Sequence, residues 1–160
     1  MSNRLLLSNR YKKIGWFILI PATILGIILI ITQFEGLSFE AKTFAIINDE
    51  IIGGRKFFTF IDTNISNTVI GILFIVGGLL VGFSKEKTED EFIANLRQSS
   101  LLWAVFVNYI LLLAAFAFIY GTAFFNVMVY NMFTVLIIFI ARFNYMLYRN
   151  SKLIPDEKYN

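Results

Sequence analysis

Apolar and polar positions alternate on a coarse scale along this chain, leaving four long apolar runs at about 14–33, 65–83, 101–120 and 124–148. A bilayer core of about 30 Å takes about 20 mainly apolar residues as a helix, and each run meets that length. None contains an acidic residue, and only the last contains a basic one, Arg142. Buried helices of a soluble bundle would carry polar outer faces, whereas these runs are apolar all round. The pattern therefore predicts an all-α membrane protein, a single integral membrane domain over 1–160 with four transmembrane helices.

Between the first two runs, segment 34–64 is too apolar for a solvated linker. It holds Phe39, Phe44, Ile46, Ile47, Ile51, Ile52, Phe57, Phe58, Phe60 and Ile61. Gly53-Gly54, set between Ile51-Ile52 and Arg55–Ile61, suggests a short β-hairpin with a two-residue turn. An interfacial helix over 38–48 is the alternative. Either would form a small external cap between helices 1 and 2. Asn64-Ile65-Ser66 matches a glycosylation sequon, read here as accidental because it adjoins the membrane.

Composition agrees with the pattern: 58% of residues are hydrophobic and only 16% are charged, against about 45–50% and 25% in soluble domains. The chain has no Cys and no His. Disulfides, thiolate zinc, iron–sulfur clusters, His-ligated haem and imidazole-based triads are thereby excluded. No nucleophile–base pair, metal cluster or paired intramembrane carboxylate is visible either. We expect no catalytic residues, no cofactor, no metal site and no enzyme activity.

Charge changes the picture only through its placement. Arg4, Arg10, Lys12 and Lys13 precede the first run, Lys85, Lys87 and Arg97 lie between the second and third, and Arg142, Arg149, Lys152 and Lys158 lie at or after the end of the fourth. Those eleven face three, Lys42, Arg55 and Lys56, in segment 34–64. The positive-inside rule then puts both termini in the cytoplasm, as in a multi-pass protein of a bacterial inner membrane. These residues are membrane flanks, so the net charge of +3 calls for no nucleic-acid partner. The first run is longer than the roughly 7–15-residue core of a signal peptide and lacks a cleavage site after it, so it is expected to remain as an anchor.

Polar and small residues inside the runs mark candidate contacts. Pro21 should kink the first helix, and Tyr11 and Trp16 should anchor it at headgroup depth. Gly71, Gly78 and Gly82 share one face of the second helix, a small-xxx-small surface for packing against helix 1 or 3, or for a homodimer. Tyr120-Gly121-Thr122 predicts a tight, charge-free turn, with glycine ending helix 3 and Thr122 capping helix 4. Counting outward from that turn puts Asn108 level with Thr134. Asn108, Tyr109, Tyr130, Asn131 and Thr134 thus form an intramembrane polar cluster, able to pair across the hairpin or to line a cavity. Arg142 should snorkel to the interface beside Tyr145, Tyr148 and Arg149.

The connection before the third run carries the most polar information. Thr88 and Glu91 have capping-box spacing, with Glu89 and Asp90 crowding a first turn. A helix from Glu89 to Tyr120 is predicted, with a cytoplasmic extension over 88–100. Its apolar stripe, Phe92, Ile93 and Leu96, should pack on Leu5–Leu7 or Tyr145–Leu153, or dock a cytoplasmic protein.

The blocks Phe83-Ser84-Lys85-Glu86-Lys87, Glu89-Asp90-Glu91-Phe92-Ile93, Leu96-Arg97 and Ser100-Leu101-Leu102-Trp103-Ala104 resemble a family of small uncharacterised bacterial membrane proteins, typical of Bacteroidota. Asn126-Val127-Met128, Tyr130-Asn131-Met132-Phe133-Thr134 and Arg142-Phe143-Asn144-Tyr145 resemble the last helix of the same family, and the likeness covers about 10–150. Members are often encoded beside a short helix-turn-helix regulator, so the resemblance implies a signalling link and carries no assigned reaction. An interaction, sensory or regulatory membrane protein is the first expectation, with the bilayer, a cytoplasmic regulator or a second copy as partners. A small transporter or channel subunit for an uncharged or polar solute is the alternative.

Overall fold

A computed structural model describes residues 6–32, 39–50 and 54–153. The order is α1 (Asn9–Ile31), β1 (Glu40–Glu50), β2 (Gly54–Asn64), α2 (Ser66–Gly82), α3 (Glu91–Phe118) and α4 (Thr122–Leu153). Helices α1, α3 and α4 are long and apolar enough to cross a membrane. No more than 22% of the apolar window of each is buried within the chain, so their apolar surface faces outward, as a lipid solvent requires.

The second run forms an apolar but shorter helix, the 17 residues of α2. Both of its ends are claimed by other bonds. Asn64 Oδ1 accepts from Ser66 N at 3.0 Å and turns the chain sharply into the helix. At the far end Phe83 leaves the helical path, and its carbonyl accepts from Leu7 N at 3.0 Å.

Two compact units result, Met1–Phe17 with Ile75–Asn160, and Ile18–Phe74. In the first, Val81, Ala104, Phe139, Ile140 and Phe143 are buried. Helices α3 and α4 run antiparallel across Gly121, whose φ of +71° takes the left-handed conformation that glycine adopts freely. Helix α3 ends at Phe118, and Thr122 is the first helical residue of α4 rather than a cap outside it.

In the second unit, Leu19, Ala22, Leu29 and Ile70 are buried, and a Cβ on Gly26 would meet Ile70 at an ordinary 3.9 Å. Strands 40–50 and 54–64 pair as a hairpin, so the interfacial helix over 38–48 does not occur. The strands are longer than expected, 11 residues each, pairing antiparallel from Glu40↔Asn64 to Glu50↔Gly54. The predicted two-residue turn involves Gly53, which lies outside the described residues, as do 33–38 and 51–52.

Candidate functional site

The polar groups of the first unit converge where α1 begins, α2 ends and α3 begins. Leu7, in extended conformation, donates its N–H to Phe83 O and accepts from Lys85 N at 2.9 Å, a one-bridge parallel pairing with Ser84. Asn9 Nδ2 donates to Lys85 O at 2.7 Å. One turn on, Lys12 pairs with Glu86. A further turn on, Gly15 lies against α2 so closely that a Cβ there would stand 2.8 Å from Val81 N and from Leu80 Cβ. The start of α1 and the end of α2 are therefore stitched side by side.

Helix α3 starts two residues later than a Thr88 box predicts. Its N-cap is Asp90, whose Oδ1 accepts from Ile93 N at 2.8 Å, so Thr88 and Glu91 do not form the predicted capping box. Aspartate caps at least as well as threonine, and Glu89 is committed elsewhere. Glu89 Oε1 and Oε2 receive Arg97 Nη1 and Nη2 at 2.7 and 3.1 Å, and Oε2 also accepts from Glu86 N at 2.8 Å. Arg97 Nη2 donates further to Ser84 O at 3.1 Å. The Arg97 guanidinium lies 5.0 Å from the ring centroid of Phe143 in α4, and Lys12 Nζ lies 5.9 Å from the same ring.

The Arg97 and Glu89 side chains are only 8% and 13% exposed. A fork-to-fork pair at such burial is geometrically specific and weakly screened by salt. Each of the two ion pairs is neutral in itself, and with the backbone bonds they lock α1, the α2–α3 connection, α3 and α4 into one junction. The placement of Arg97 among the basic membrane flanks does not foretell this role. The available signal was its place on the face that holds Ser100, Ala104, Asn108 and Ala115, all buried.

Beside the junction runs an open groove of about 570 Å³, walled by Lys12 and Trp16 of α1, Phe92 and Ile93 of α3, and Leu147 and Tyr148 of α4. Phe92 is exposed, whereas Ile93 and Leu96 are half-buried. The α4 wall falls within the expected Tyr145–Leu153 segment; of the other expected contact, Leu5–Leu7, Leu5 lies outside the described residues and Leu7 is paired with 83–85 instead of lining the groove.

Of the five polar residues expected inside the bilayer, two come together across α3 and α4. Asn108 Nδ2 donates to Asn131 Oδ1 at 3.3 Å, and Asn131 Nδ2 returns a bond to Asn108 Oδ1 at 3.0 Å. Thr134 is not the residue opposite; its Oγ1 donates to Tyr130 O at 3.0 Å within its own helix. The count from Gly121 failed because residues 119–121 cross between the helices instead of rising along α3 at 1.5 Å each. Tyr109 is exposed and Tyr130 half-buried.

Another expectation changes partner. A Cβ on Gly78 would strike Leu136, and one on Gly82 would meet Phe139 Cε1 at 2.5 Å. Helix α4 therefore fills the face expected for helix 1, helix 3 or a second copy. Gly71, in the other unit, is half-buried. The Arg142 guanidinium also sits 4.6 Å from the Trp103 ring of α3, a cation–π contact that was not expected from the sequence. No known protein family, curated protein or solved structure matches this chain.

Proposed function

We propose that this chain is a multi-pass bacterial inner-membrane protein without enzyme activity that works by interaction, a sensory or regulatory protein with both termini in the cytoplasm. Four crossings are part of that reading. Helix α2 is about 25 Å long, short of a core of about 30 Å, and a locally thinned bilayer accommodates such a difference. The bonds from Leu7, Asn9 and Lys12 to 83–86 support a return of α2 to the surface where α1 begins. The placement of eleven of the 14 basic residues supports calling that surface cytoplasmic.

The single observation that carries the interaction reading is the ion-paired junction with a groove beside it. A locked cluster linking four helices transmits a tilt of one to the others, and Phe92 and Ile93 offer an apolar landing site at its edge. The resemblance to small membrane proteins encoded beside a helix-turn-helix regulator points to the same kind of partner. The transporter alternative draws less support, because Asn108 and Asn131 spend their amides on each other.

Replacing Phe92 with a photo-crosslinking phenylalanine in cells tests this reading, with the exposed Tyr109 as a lipid-facing control. A discrete protein adduct from position 92, absent from 109 and abolished by Ile93→Ser, is the expected result. Identical lipid-only adducts from both positions would overturn it.

A further inference from the structure

An isolated two-stranded hairpin is at best marginally stable in water, yet this one has 11-residue strands and an apolar face that is exposed among the described residues. Phe44 and Phe60 pair across the strands with ring centroids 5.4 Å apart, and Phe58 lies 6.3 Å from Phe44. These three rings are 52%, 72% and 70% exposed, and Ile46 beside them is exposed as well. Together they present roughly 400–500 Å² of apolar surface by the usual size of such side chains, as much as the largest patch on a typical soluble monomer. The opposite face differs over most of its length: Ala41, Thr43, Ala45, Thr59, Ile61 and Thr63 are half-buried, and the Ile47–Phe57 pair nearer the tip is exposed. The ladder breaks beside the rings, where the Ile46–Phe58 pair is missing and Phe58 takes a φ of +52°. A bulky residue rarely adopts that conformation, so the local backbone is held in an unusual form at the centre of the patch.

We propose that this face, Phe44, Ile46, Phe58 and Phe60, lies on the bilayer, at the boundary between headgroups and acyl chains of the outer leaflet. The inference rests on the reading of α2 as a spanning helix. Its base leaves no linker: Phe39 N donates to Ser66 Oγ at 3.2 Å, Ile65 N donates to Phe39 O at 3.0 Å, and the apolar helix starts at once. Because no linker separates the two, the strand joined to the outer end of α2 begins within the interfacial layer. The strand edges carry free backbone groups that hydrocarbon cannot satisfy. The hairpin therefore lies in the plane of the interface, with its aromatic face toward the acyl chains and its edges among headgroups and water. Segment 40–64 holds four acidic and three basic residues, so apolar burial rather than attraction to anionic lipid drives the contact.

The cysteine-free chain makes the test direct. Full-length single-cysteine variants Phe58→Cys, Phe60→Cys, Ile46→Cys and Thr59→Cys, each labelled with an environment-sensitive dye, are reconstituted in zwitterionic phosphatidylcholine vesicles. Nitroxide-bearing lipid should quench positions 46, 58 and 60 at least about twofold more than position 59, with aqueous iodide showing the reverse order. Three aromatic-face positions guard against one variant that fails to fold. Equal iodide quenching at all four positions overturns the proposal, and so does a Phe60→Cys disulfide between copies with neither quencher effective, which assigns the face to a second copy. Impermeant labelling of Lys56→Cys from outside, with Ser2→Cys protected, checks the topology separately. Lipid quenching with the opposite labelling pattern would retain the contact and refute the orientation.

Discussion

Removing the Glu89 carboxylate leaves the Arg97 guanidinium buried among Ser84, Phe143 and the backbone with its main acceptor gone. Arg97 retains the Ser84 carbonyl and the Phe143 ring, and its Nε has no acceptor among the described residues. Breaking a buried pair by deleting one partner costs about 3–5 kcal/mol; the two retained contacts set the expectation for Glu89→Ala at about 3. For a chain of this length about 2–4 °C of Tm accompanies each kcal/mol, so the midpoint should fall by about 6–12 °C. Arg97→Leu should cost less, because the Glu89 left behind is the more exposed partner and can recover water. The double variant should fall short of the sum of the singles by about 1–3 kcal/mol, the coupling expected of groups in direct contact. Thermal unfolding in mild detergent, followed by tryptophan fluorescence, reads all four proteins, and raising the salt should change the Glu89→Ala deficit little. A Glu89→Ala protein within about 1 °C of the parent, or strictly additive single variants, would refute the view that this pair locks the junction.

Two further outcomes follow from packing inside the first unit and from one contact in the second. Gly15→Ala drives a Cβ into the Val81 backbone, which cannot yield by a rotamer change, and should cost about 1–3 kcal/mol. Gly82→Ala, against the buried Phe139 ring, should approach it, Gly78→Ala should cost less because the flexible end of Leu136 can move, and Gly26→Ala should be neutral or stabilising; a thermal-shift ranking that inverts this order refutes the contacts. Asn108→Leu should lose about 1 kcal/mol or less, and adding Asn131→Leu should restore part of it, since the orphaned amide is then removed too. Full additivity of the two asparagine changes would show that the amides do not pair.

The helices and the hairpin were legible because they follow from short-range physics. Twenty apolar residues without an acid make a helix fit for a bilayer, and Gly53-Gly54 between Ile51-Ile52 and Arg55–Ile61 suggests a hairpin, though an interfacial helix over 38–48 stayed open beside it. The end of α2 was not legible in the same way. Its apolar run continues through Phe83, but the helix stops at Gly82 because Phe83 O and Lys85 N pair with Leu7, a residue 76 positions from Phe83. Likewise Thr88-x-x-Glu91 has the spacing of a capping box, yet the cap moved to Asp90 because a tertiary demand from Arg97 drew Glu89 out of the first turn. Local rules place caps to within a residue or two, and a buried ion pair outweighs the small difference between one cap and the next.

The buried face of α3 shows why membrane packing sites are harder to see by the habits learned on soluble proteins. Apolar content cannot separate inside from outside when lipid is as apolar as leucine, so the buried stripe of such a helix is marked by small and polar residues. Along α3 that stripe is Arg97, Ser100, Ala104, Asn108 and Ala115, spaced three, four, four and seven apart, while Leu102, Phe106, Tyr109 and Leu113 face outward. A search for large apolar anchors singles out Phe92, Ile93 and Leu96, only the edge of the junction. A search for small and polar residues at helical spacing finds Arg97 and Asn108 together, one at the ion-paired end and the other in the amide pair near mid-helix. Since both lie on the surface that α3 turns toward α4, a change that shifts α3 along its axis would have to break the Asn108–Asn131 bonds and the Arg97–Phe143 contact at once. Helix α3 is therefore held in register at two levels, and any signal it carries is expected to move α3 and α4 as a pair.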